Sequence, residues 1–103
     1  MPLTPEQMEW LGRDGAAAFG LTSGQVRMLR LALQWDAFSF QQIAVEIGLS
    51  RAAVSKSLRD LARRGIIALH RDGDNPTRSL HHADPGVALR PLLDGRPRQA
   101  ATG

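Results

Sequence analysis

The chain has 103 residues, 43% of them hydrophobic, which allows one folded domain with a modest core and excludes a disordered polymer. It contains no cysteine, so disulfides and thiolate chemistry are excluded, and no apolar run is long enough to span a bilayer. The formal net charge is +3, and of 13 cations only Lys56 is not an arginine. The first residues, Met1 to Glu6, lack the basic start and apolar stretch of a signal peptide, and these features together predict a cytoplasmic protein.

A first helix is predicted to start at Thr4, with Pro5 at the first helical position and Gln7 completing a capping box. Met8, Leu11, Ala18 and Phe19 fall on one face, Gly12 and Gly15 leave room for another backbone, and Gly20 ends the helix. The second helix repeats the signal with Thr22 and Gln25. Its buried stripe is Val26, Leu29, Ala32 and Leu33, and Arg27, Arg30 and Gln34 face away. Trp35 and Phe38 then break the pattern and read as core plugs.

Ser39 and Gln42 cap a short third helix whose stripe is Ile43, Ala44 and Ile47. Gly48 supplies a left-handed stop, Leu49 is expected to be buried in the turn, and Ser50 caps the next helix. That fourth helix is predicted over residues 51–64, with Val54, Leu58, Leu61 and Ala62 inward and Arg51, Ala52, Ser55, Lys56 and Arg59 outward. Residues 66–70 and 79–82 read as two strands around the turn-rich stretch Asp72-Gly73-Asp74-Asn75-Pro76. Asp84-Pro85 is expected to open a last short helix through Leu93, kinked or broken by Pro91, and residues 95–103 to form a disordered tail.

The fold class is therefore mainly α with a small β-hairpin, a winged helix-turn-helix. Residues 51–78 hold seven basic side chains (Arg51, Lys56, Arg59, Arg63, Arg64, Arg71, Arg78) against three acids. A short capped helix, a tight glycine turn, a helix with a small and basic outer face, and a hairpin with a basic tip follow one another over residues 39–78. Arginine's planar fork suits phosphate oxygens and the guanine edge. In the DNA-binding reading, Ala52 and Ser55 admit base edges, Arg51 and Lys56 reach guanine or phosphate, and Ser50 presents amides to a phosphate. Arg59 contacts phosphate further along, and Arg71 and Arg78 bring charge to the minor groove. Double-stranded DNA is the expected partner.

The run Leu21-Thr22, Gln25, Leu29, then Ile43-Ala44, Gly48-Leu49-Ser50-Arg51, Val54-Ser55, Leu58, Leu61 and Arg64-Gly65-Ile66-Ile67, then Asp72, Asp74 and Arg78-Ser79-Leu80, resembles the MarR family of bacterial transcriptional regulators over roughly residues 21–86. The resemblance implies a dimeric repressor on a pseudo-palindromic operator, with Arg51, Ser55 and Lys56 on the recognition helix. It makes Arg78 the wing arginine of the minor groove, oriented by Asp74. Members of that family carry a long C-terminal dimerisation helix. Here Pro91 and the polar tail leave little room for one, and the acid-to-arginine spacing in the wing is wider. Dimerisation is therefore expected in residues 1–20, where Trp10 lies off the main stripe and reads as an exposed interface aromatic. Residues 21–94 form the DNA-binding domain, and no effector can be named.

Other chemistry finds less support. Adjacent histidines on a strand, His81 and His82, point to opposite faces, and with His70 they show no metal-ligand spacing, so no metal is expected. There is no phosphate loop or nucleophile elbow, and neither an enzyme nor a cofactor is expected. Two rival readings stay open: a winged helix used for protein contacts, as adaptor or antagonist of another regulator, and a plasmid or phage replication or partition protein.

Overall fold

A computed structural model of the chain describes residues 3–72 and 80–94. The elements run α1 (Pro5–Phe19), α2 (Ser23–Gln34), β1 (Phe38–Ser39), α3 (Phe40–Ile47), α4 (Arg51–Arg63), β2 (Ile67–Asp72) and β3 (Leu80–Pro85). A last helical turn covers residues 90–94. The predicted hairpin tip, with Asp74 and Arg78, and the predicted tail lie outside the described residues.

The three capping boxes form atom for atom. Thr4, Thr22 and Ser39 accept from the backbone N–H of Gln7, Gln25 and Gln42, and each glutamine side chain accepts from the cap residue's N–H at 2.7–2.9 Å. Gly48 ends α3 at φ 84°, a left-handed conformation in which a Cβ would be strained. The turn to α4 is correspondingly short, and α3 and α4 form the helix-turn-helix.

The sheet has three antiparallel strands in the order β1-β3-β2. β2 pairs with β3 from Ile67 opposite Pro85 to Asp72 opposite Leu80. β1, absent from the sequence reading, adds Phe38 opposite His81 and Ser39 opposite Leu80. Asp84-Pro85 belongs to this ladder and does not start a helix. Proline is tolerated there because β1 borders only Leu80 and His81, so the far end of β3 is an edge. The final turn starts beyond Gly86, where Arg90 N–H donates to Gly86 O at 2.9 Å, and Pro91 falls in its first turn rather than breaking it.

One core joins all these elements. It contains Leu29, Ala32 and Leu33 of α2, Ile43 and Ala44 of α3, Val54, Leu58 and Leu61 of α4, and Phe38, Ile66, Ile67 and Leu89. Three expectations are overturned in detail. α1 buries Trp10 and Leu11 while Ala18 is exposed, so its inward face is rotated from the predicted one, and Trp10 is no exposed anchor. Leu49 is exposed: its N–H closes the turn on the Ala44 carbonyl at 3.0 Å while its side chain meets solvent. Arg30 does not face away. Its guanidinium lies 2.8 Å from where a Cβ on Gly12 would be, so this glycine admits a side chain rather than a backbone.

Candidate nucleic-acid interface

α4 is amphipathic with a basic outer face. Val54, Leu58 and Leu61 anchor it, and Arg51, Ala52, Lys56 and Arg59 remain exposed. Ser50 caps its N-terminus, accepting from Ala53 N–H at 3.1 Å. The remaining amides of the first turn face outward at the positive end of the helix dipole, which favours an anion.

Between the N-terminal half of α4 and the sheet lies an open groove of about 800 Å³, lined by Phe40, Arg51, Ala52, Ser55, Arg59, Leu69, Arg71 and His81. Five of the eight residues selected from the sequence therefore share one surface. Strand alternation explains the other wall: Leu69 and Arg71 are two apart on β2, and His81 is paired with Arg71 on β3. Ser50 and Lys56 are exposed on α4 outside the lining, and Arg78 lies outside the described residues.

The floor of the groove was not legible as a site. Phe40 stacks on His81 with ring centroids 4.4 Å apart and planes 12° from parallel. The Arg59 guanidinium carbon lies 5.8 Å from the Phe40 centroid, and Arg59 Nε donates to Ser55 Oγ at 3.0 Å. These contacts hold Arg59 along the groove wall instead of leaving it on a loose stem. The available signal was positional, since Phe40 precedes Ile43 by three residues on the inward face of α3.

The cations are not equivalent. Arg63 is bound to Asp60 at 2.8 Å, and Arg64 donates from Nη2 to the Phe19 carbonyl at the end of α1. Among the described residues, no ion pair engages Arg51, Lys56, Arg59 or Arg71. Positive charge is thus left open on the groove side and tied down at the other end of the same helix. The groove offers a basic, concave, partly aromatic surface suited to binding a polyanion.

The MarR family model matches residues 21–75, more than half of the chain. This stretch contains α3, α4 and β2, which supply all of the groove's lining except His81 on β3. The chain belongs to the MarR family. Membership places it among DNA-binding transcriptional regulators. Among solved structures it is similar to RV1404 from Mycobacterium tuberculosis, with a TM-score of 0.61 at 16% identity, over 94% of this chain and 68% of that one. At that identity the likeness establishes the winged-helix fold. No curated protein matches the chain. Among the described residues, no helix is long and apolar enough to cross a membrane.

Proposed function

We propose that this MarR-family chain acts as a homodimeric repressor on a pseudo-palindromic site in double-stranded DNA. α4 enters the major groove and the β2–β3 ribbon follows the adjacent minor groove. The observation that carries this reading is the convergence of Arg51, Ala52, Ser55 and Arg59 from α4 with Arg71 from β2 on one groove. Small residues at the first turns of α4 let the helix approach base edges, and the arginine at its start is the side chain best placed for a guanine edge. Ser50, Lys56 and Arg59 contact phosphates, and Arg71 with Arg78 grips the flank. Repression is steric, because a bound dimer covers the DNA that polymerase needs.

The dimer is assigned to residues 1–20. With Trp10 inside the core, its support is the exposed outer face of α1.

Selection of bound duplexes from a random pool, with the mass of the free and bound protein measured in solution, tests the reading. A palindromic consensus bound by two chains is expected. Affinity should fall steeply with salt, with a slope set by on the order of 6–10 phosphate contacts per dimer. A protein that selects no sequence and shifts no duplex at low salt would instead be a protein-contact module.

A further inference from the structure

The face of the ribbon turned away from the groove holds a second cluster, and we propose that it is a site for a divalent first-row transition ion of the zinc type. The ladder sets His70 directly opposite His82, and Asp84 follows two residues later on the same strand. Alternation puts all three side chains on one face, opposite to the one carrying His81. Directly opposed residues in an antiparallel pair have Cβ atoms about 4.5–5.5 Å apart, close enough for two imidazoles to share an ion.

The imidazoles of His70 and His82 are stacked with centroids 4.8 Å apart, and His70 Nε2 lies 3.7 Å from Asp84 Oδ2. One ligand atom from each of the three residues lies within 4.8 Å of the others. A tetrahedral ion bound at about 2.0–2.1 Å needs donor atoms roughly 3.3 Å apart. Side-chain rotation alone closes the remaining gap, since the backbone is already fixed by the ladder. His70 is half exposed, and His82 and Asp84 line a cleft of about 170 Å³ with Asp36, so an ion has a route in and room for a water as fourth ligand.

The donor set decides the class of ion. Two imidazole nitrogens and one carboxylate suit zinc, cobalt, nickel and copper, whereas magnesium and calcium demand oxygen. Linear spacing hides the cluster, because its members come from two different strands of the ladder. A bound ion would clip β2 to β3 close to Arg71, which stands next to His70 in the chain.

The test titrates the full chain with Zn2+ by calorimetry and with Co2+ by visible absorption, which reports the ligand field directly. One ion per chain is expected, with the absorption of Co2+ in a mixed nitrogen and oxygen field and displacement by Zn2+. Removing either imidazole, in His70→Ala or His82→Ala, should weaken Zn2+ by about a hundredfold, and Asp84→Asn by about tenfold. Circular dichroism identifies any variant that fails to fold, and His70→Ala, at the more exposed position, keeps the test decisive. Zn2+ should also raise the melting temperature of the parent chain and not that of His70→Ala. Equal Zn2+ affinity in parent and histidine variants, or Mg2+ bound as tightly as Zn2+, would overturn the site. None of these readouts depends on DNA, so failure here and failure of the repressor reading are separate results.

Discussion

The two ends of α4 carry similar charge and behave differently. At the C-terminal end Arg63 closes on Asp60, Arg64 ties the helix to the last carbonyl of α1, and the chain then makes a tight crossing at Gly65 and Gly86. At the N-terminal end Arg51 and Arg59, with Arg71 across from them, face an open groove. A basic count over residues 51–78 treats these ends alike. What separates them is whether a carboxylate or a backbone carbonyl already takes a terminal Nη donor, as at Arg63 and Arg64, whereas Arg59 spends only its Nε on the Ser55 hydroxyl.

The comparison can be broken by substitution, and the largest effect is expected at the closed end. A Cβ on Gly86 would stand 2.3 Å from the Gly65 carbonyl oxygen, backbone against backbone, with no flexible atom to yield. Gly86→Ala should cost about 3 kcal/mol in urea unfolding. A cost near zero would mean that the crossing is looser than described. At the open end, Arg51→Ala should lower DNA affinity by about 1–3 kcal/mol and relax the selected sequence, with unfolding unchanged. Equal loss on every duplex would reduce Arg51 to a phosphate contact. Arg64→Ala should do the reverse: about 1 kcal/mol of stability is lost with little change in DNA affinity, and a large fall in affinity would erase the distinction between the ends. The smallest effect belongs to Arg63→Ala. Its pair with Asp60 is solvent-exposed and should be worth about 0.5 kcal/mol or less, read from the same unfolding curves.

What the sequence revealed and what it concealed follow the range of the interactions. The capping boxes at Thr4, Thr22 and Ser39 span three residues, so composition and spacing suffice to see them. The inward faces of α2, α3 and α4 were legible for the same reason, and so was the outer face of α4 that lines the groove. β1 was not, because two residues carry no periodicity and its partner lies some forty positions away. Trp10 was misjudged because the inward face of α1 is set by how it meets α2, where Arg30 fills the space above Gly12. Asp84-Pro85 carries a turn and helix-start signal that the ladder overrides. The Phe40–His81 floor and the His70–His82 pair both depend on strand register, which side-chain alternation predicts only once the partner strand is known.

Ser39 belongs to two structures at once. Its backbone is the last residue of β1, opposite Leu80, while its side chain closes the first turn of α3. Besides the shared core, the ribbon and the helix-turn-helix are therefore joined by a bridge two residues wide. Swinging the ribbon away from α4 must either open that bridge or uncap α3. Arg71 and Arg51, the two jaws that a duplex would meet, thus stand on units that share a serine as well as a core.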